Sequence, residues 1–233
     1  MNPRSSDARI ARRPSKEKLN LYLSNIRREL QSANLSASTM QASLDFAEEL
    51  VERNSIKDAR ILIEEVRNSI YRVADQATRS RLRKSFYSLK GRLDQFGKKF
   101  DFTGLLSVDG KRWSKENRED ALKLVVVWSL KDSDSIALVE QIHRLKKDFT
   151  RRNIEVVAIC QLDEDERQTN RFKQIADENE SLEFLTFGSE DFQSRQFSDR
   201  FPVPKFPYLV MLSADDRVAG LNLHPVFFDP VSR

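Results

Sequence analysis

The sequence predicts an α/β domain with a mixed central sheet, preceded by an all-helical domain. Three observations carry this. Over residues 15–97, apolar side chains recur every three to four positions, the period of helices buried along one face. Beyond Lys99 they gather into short β-branched runs, Leu124–Trp128 (LVVVW) and Ile154–Cys160 (IEVVAIC), as expected of strands covered on both faces. Helical periodicity follows each run, and two further strands with a polar turn come last.

Composition narrows the classes. Of 233 residues, 39% are hydrophobic and 33% charged, which suits a soluble folded chain. No apolar run approaches the roughly 20 residues that a membrane-spanning helix needs. The start, MNPRSSDARIARRPSKEK, lacks the apolar core of a secretory leader. Cys160 is the single cysteine, so a disulfide framework and a four-cysteine zinc site are both excluded. His143 and His224 are too few for a histidine-rich metal site, and no cofactor is expected. A lone thiol suits a reducing cytosol; a periplasmic location would require a leader already removed. Residues 1–100 hold 21 Lys and Arg against 12 Asp and Glu, whereas residues 101–233 hold 19 against 24. That asymmetry admits a nucleic-acid or acidic-partner surface on the first half, although no aromatic-basic recognition motif accompanies it.

The elements follow in order. Residues 1–14, with Arg4, Arg9, Arg12 and Arg13, read as a flexible basic tail. A helix starts near Ser15, and Leu19, Tyr22, Leu23, Ile26 and Leu30 line one face of it. Asn34–Ser38 breaks the pattern before a second helix carrying Met40, Leu44, Ala47, Leu50 and Val51. Asn54-Ser55 punctuates, and Ile56, Ala59, Ile63, Val66, Ile70 and Val73 mark a third helix. After Asp75–Arg79 a fourth runs through Leu82, Phe86, Leu89, Leu93 and Phe96, with Gly91 inside it costing about 1 kcal/mol relative to Ala. Short connections make these antiparallel neighbours, a bundle or two stacked hairpins over residues 15–97. Their stripes read as core, and the domain as scaffold.

The second domain, residues 99–224, opens with a hairpin turned at Asp109-Gly110. Ser114–Ala121 is polar, with room for one helical turn. The strand Leu124–Trp128 leads through Asp132-Ser133-Asp134-Ser135 into one long helix carrying Ile136, Val139, Ile142, Leu145 and Phe149. After Ile154–Cys160, Asp163–Asp165 caps a helix with Phe172, Ile175 and Ala176. Phe184–Phe187 is a short strand, and Tyr208–Leu212 and Val218–Leu223 form the last hairpin. Residues 225–233 are a tail.

Residues 100–223 resemble the redoxin branch of the thioredoxin-like superfamily, especially the TlpA-like disulfide reductases. The resemblance is carried by Asp101-Phe102-Thr103 with Asp109-Gly110-Lys111, by LKLVVVWS, by IEVVAICQLDED, and by FPYLVMLSADDRVAGLNL, in that order. It implies a mixed sheet with flanking helices, and a cis-proline at Pro207, preceded by Phe206, facing the active loop. The family's aromatic-Ala-x-Trp-Cys-x-x-Cys falls on Trp128 to Ser135, so the two sulfur positions hold Asp132 and Ser135. Trp128, Lys131, Ser133 and Asp134 surround them in the neighbouring loop. The family also ends with a helix on the sheet, and Pro225 and Pro230 forbid one here. One sheet face then needs another cover, either the first-domain helices or a second subunit in a homodimer.

Thiol–disulfide exchange needs an attacking thiolate and a second sulfur. Asp132 and Ser135 supply neither, and Ser135 has no evident base in the spacing. The pair suits a helix N-cap instead. No residue is therefore assigned a catalytic role. Cys160, ending a buried strand, reads as core filler. These residues point to a redox-inactive thioredoxin-like module that binds a protein partner or an extended polypeptide around Asp132 and Pro207. The alternatives are a thiol-disulfide oxidoreductase or one-cysteine redoxin using Cys160, and a first domain that binds nucleic acid or an acidic partner. A more distant rival is a magnesium-dependent phosphatase using Asp132-x-Asp134 with Asp215-Asp216.

Overall fold

The computed structural model describes residues 16–32, 35–113, 121–162, 166–180, 182–188, 201, 203 and 205–223. The expected basic tail, the Ser15 cap, the turn over 114–120, the cap at Asp163–Asp165, His224 and the tail 225–233 lie outside them.

Four helices come first: α1 (Lys16–Gln31), α2 (Ala37–Glu52), α3 (Ile56–Ser69), extended by one 3-10 turn (Ile70–Arg72), and α4 (Gln76–Gln95). Local chemistry sets their ends. Ser36 caps α2 by accepting the Thr39 amide at 3.0 Å, and Asp75 caps α4 by accepting the Thr78 amide at 2.6 Å. α2 closes with Asn54 in the left-handed region (φ 58°). There the Ser55 amide bonds Leu50 O at 2.8 Å and the Asn54 amide bonds Val51 O at 2.9 Å, the paired bonds of a Schellman turn. Sequence punctuation places the α4 start after Arg79, whereas the helix begins at Gln76, because Asp75 is its cap.

The sheet has six strands in the order β1-β4-β3-β2-β5-β6: β1 (Leu106–Ser107), β2 (Leu122–Ser129), β3 (Ile154–Leu162), β4 (Glu183–Gly188), β5 (Tyr208–Leu212) and β6 (Val218–Leu221). β2, β3 and β4 run parallel, while β1, β5 and β6 are antiparallel to their neighbours. The opening hairpin is reduced to an edge: β1 spans two residues, with Gly110 (φ 73°) at the tip of its turn. Three helices accompany the sheet: α5 (Ser133–Arg144), α6 (Lys146–Arg151) and α7 (Glu166–Glu178). The single long helix predicted over Ile136–Phe149 is two. At Leu145 (φ −86°, ψ 3°) the amide is shared between Gln141 O and Ile142 O, and this tightened turn redirects the chain. Apolar periodicity survives the break, so the sequence does not reveal it.

Strand alternation sorts the core into two layers. Leu124, Val126, Trp128, Ala158, Cys160, Phe184 and Leu209 point to one face, covered by Leu138, Val139 and Ile142 of α5, Phe149 of α6 and Phe172 of α7. Val125, Val127, Val157, Ile159, Leu185, Tyr208, Val210 and Leu212 point to the other. They belong to one continuous apolar cluster with Leu44, Leu50, Val51, Leu62, Leu82, Phe86 and Leu93 of the first four helices. The second face is therefore covered from within the chain.

A polar contact across that junction joins the end of β6 to α2, and an ion pair between α4 and α2 lies beneath it. Asn222 Nδ2 donates to Glu52 Oε1 at 2.6 Å, and buried Arg92 pairs with Glu48 beside Tyr208. Burial raises the Glu48 carboxyl above its usual range despite Arg92, and burial raises the Tyr208 phenol as well.

Candidate functional site

β2 ends at Ser129, and three residues later the chain enters α5. The Asp132 amide returns to Ser129 O at 3.2 Å, and the Lys131 amide to Ser129 Oγ at 3.3 Å, which folds the loop tightly over the strand end. Asp132 then caps α5. Its Oδ2 accepts both the Ser135 amide at 2.8 Å and the Ser135 hydroxyl at 2.6 Å, while its carbonyl accepts the Ile136 amide at 3.3 Å. A carboxylate here also faces the positive end of the helix. Ser135 is fully buried, Asp132 half-buried, and Lys131, Ser133 and Asp134 are exposed.

Sequence spacing offers Ser135 no base, yet the fold puts a carboxylate against its hydroxyl. That contact does not make a nucleophile. The hydroxyl is shut away from solvent, and the same carboxylate oxygen is engaged by the helix amide. Removing the cap with Asp132→Ala is expected to lower stability by about 1–2 kcal/mol, and Asp132→Asn by less, read from denaturant midpoints.

The Phe206-Pro207 peptide is cis. β5 pairs with β2 so that Val127 faces Tyr208, which puts Pro207 at the same end of β2 as Trp128 and Ser129, beside the 130–132 loop. Phe206 and Pro207 are half-buried. The backbone groups of Lys205 and Phe206 make no hydrogen bond among the described residues. Trp128, the last residue of the predicted strand, lies in β2 just before Ser129. It is fully buried between the rings of Phe172 and Phe184, each 6.2 Å away.

Cys160 lies beside Trp128 in the β2–β3 register and is fully buried. Burial drives its thiol well above the usual range, outweighing the nearby Leu130 amide, and its S–H points to Gln161 O at 3.6 Å. A reactive cysteine needs the reverse: exposure and a positive environment.

The phosphatase arrangement fails on topology. Asp132-x-Asp134 follows the end of β2, whereas Asp215-Asp216 follows β5, whose Leu212 pairs with Lys123 at the start of β2. The two pairs are separated by the length of β2, roughly 20 Å at strand rise. Asp215 is bonded to Ser213 (2.5 Å) and Arg217 (2.8 Å), which hold its carboxyl below the usual range; Asp216 pairs with buried Lys123 at 3.0 Å. Among the described residues, no group of three or more His, Cys, Asp or Glu is placed to hold a metal ion.

That same far end carries an open cavity of about 600 Å³, lined by Phe100, Asp101, Phe102, Trp113 and Asp216 among others. Neither it nor the Lys123–Asp216 pair emerges from the sequence reading. The available signal is a lysine inside an otherwise apolar strand, LKLVVV.

No protein-family profile matches the chain, and no curated protein matches it. Solved structures do. A thioredoxin-like protein from Bacteroides caccae aligns over 90% of this chain and 75% of its own, with a TM-score of 0.59 and 13% identity. A thiol:disulfide interchange protein from a Bacteroides species covers 58% of this chain and 87% of its own, with a TM-score of 0.47 and 13% identity. A thiol-disulfide oxidoreductase from Bacteroides fragilis covers 55% and 91%, with a TM-score of 0.43 and 16% identity. The first match reaches into the helical half, where the sequence shows no likeness. The chain has the thioredoxin-like fold, with helices preceding the sheet and with one cysteine where a CxxC motif needs two.

Proposed function

We propose that this protein is a binding module: a thioredoxin-like frame without dithiol chemistry, whose Asp132–Ser135 loop and Phe206-Pro207 segment receive an extended polypeptide. One observation carries the reading. The two residues at the sulfur positions are engaged with each other, Asp132 Oδ2 holding both donors of Ser135 as the cap of α5. Nothing there can form a mixed disulfide, and the single thiol is buried in the core layer beneath α5.

The choice of an extended polypeptide rests on the backbone of Lys205 and Phe206. Open donors and acceptors beside a strand end are the means by which a sheet accepts another strand. Phe206 adds an apolar side chain to the same segment, and exposed Lys131 a charge to the loop. Thiol–disulfide exchange needs an accessible thiolate and a second sulfur, and this chain offers one buried cysteine. No described helix is long and apolar enough to cross a membrane.

Two measurements test the proposal. Insulin reduction in the presence of dithiothreitol should stay at the background rate, and Cys160 should resist iodoacetamide until the protein is denatured. With a reduced, carboxymethylated, unfolded polypeptide as probe, hydrogen exchange should slow at 130–136 and 205–208. Turnover that disappears in Cys160→Ala, or protection confined to other segments, would sink it.

A further inference from the structure

The outer face of α4 has a different character from the loop, and it does not depend on the reading above. Residues 76–93 hold Arg79, Arg81, Arg83, Lys84, Lys90 and Arg92 with no Asp or Glu among them. Three of these cations have partners of their own. Arg79 donates to Val73 O at 3.3 Å, Lys90 pairs with Asp94 at 2.6 Å, and Arg92 pairs with Glu48. Arg81, Arg83 and Lys84 are exposed, and none forms a contact ion pair among the described residues, although the charge of Arg81 reaches Asp75 at the start of the helix.

Two tyrosines frame them. Arg83 lies over the Tyr71 ring at 5.8 Å and the Tyr87 ring at 6.0 Å, while Tyr71 is 61% and Tyr87 55% exposed. The spacing from Arg83 to Tyr87 is one helical turn, so guanidinium and phenol share a face. Here, then, are exposed π surfaces beside cations that make no contact ion pair among the described residues.

We propose that this face binds single-stranded nucleic acid, with bases stacking on Tyr71 and Tyr87 and phosphates meeting Arg81, Arg83 and Lys84. The chemistry of the face selects that occupant. A protein interface centres on a desolvated apolar patch. The other exposed large hydrophobic residues, Leu21, Tyr22, Ile61 and Leu122, lie on α1, α3 and β2. On α4 itself the exposed aromatic is an amphipathic phenol beside cations. Stacking on exposed rings needs unpaired bases, which distinguishes a single strand from a duplex.

The experiment is fluorescence anisotropy on the full chain, with a labelled 20-residue oligothymidylate, the matching duplex and polyglutamate as probes. The single strand should bind most tightly at 50 mM salt. Three phosphate contacts give log K against log salt a slope of about −2. Tyr71→Ala with Tyr87→Ala should weaken binding about tenfold or more. Arg81→Glu with Lys84→Glu should weaken it further and flatten the salt dependence. These side chains are exposed, and a thermal melt of each variant separates a binding loss from a folding loss. Absence of binding at 50 mM salt overturns the proposal. So does binding that all α4 variants leave intact, which would move it to the Arg4–Arg13 segment, and so does equal affinity for polyglutamate, which would mark an acidic-protein surface.

Discussion

Lys123→Met is expected to destabilise the protein by about 3–5 kcal/mol, although it replaces a charge with an apolar side chain in a β-strand. Lys123 sits in central strand β2, and its ammonium is 3.0 Å from Asp216, with both side chains about 95% shielded from solvent. Removing one partner leaves a buried charge without compensation, and that penalty exceeds the apolar gain. The double variant Lys123→Met/Asp216→Asn should recover most of the loss, since it leaves no charge behind. Asn is the appropriate replacement because Asp216 has φ 63°, a left-handed conformation that Asn tolerates and Ala resists. Denaturant unfolding of the wild type, both single variants and the double forms the complete cycle. If Lys123→Met lies within 1 kcal/mol of the wild type, the pair is not the clamp described here.

That clamp has a particular location. The Phe100 amide bonds Asp216 O at 2.7 Å, the Gly97 amide bonds Val218 O at 2.8 Å, and Arg217 Nη1 reaches Gly97 O at 3.0 Å. The connection between the helices and the sheet is therefore laced to the β5–β6 turn, and Asp216 joins that turn to the centre of the sheet.

The second large effect is expected on removing the helices. A fragment of residues 99–233 should be insoluble, or should associate through the face bearing Val125, Val127, Val157, Ile159, Leu185, Val210 and Leu212. Fully burying a side chain of this kind contributes about 1.5–3 kcal/mol, so this face carries at most about 10–20 kcal/mol. Net domain stability is only about 5–15 kcal/mol. Size-exclusion chromatography with light scattering and near-UV circular dichroism would decide. A monomeric fragment with native-like aromatic signals would falsify the claim that the helices are a necessary part of the core.

Periodicity made the fold legible where one face of an element is buried. Ile56, Ala59, Ile63 and Val66 outline α3, and Leu124–Trp128 outlines β2. Cap and turn residues fixed several boundaries, as Asp132 does for α5. Reading failed where the decisive partner is distant in sequence. Lys123 is an anomaly in a strand until Asp216 supplies its counter-charge. The Leu145 break is hidden for another reason, because it leaves the apolar register intact. On α4 the run of six cations between Asp75 and Asp94 stands in the sequence. Tyr71, sixteen residues before Tyr87 and beyond a helix boundary, joins that face only when the chain folds.

The order of the strands also bears on how the protein is made. Synthesis delivers α1–α4 first, yet much of the sheet surface they bury comes last: Tyr208, Val210 and Leu212 on β5, Val218 and Leu221 on β6. More than a hundred residues separate the two sides of that layer. β2 likewise gains its antiparallel neighbour only when β5 has emerged. A nascent chain therefore carries a bundle with one greasy side, and a sheet in which β2 lacks its antiparallel partner, until β5 and β6 have emerged. Such exposure is the kind that recruits chaperones, and it makes the closing hairpin the step that commits the whole chain to its folded state.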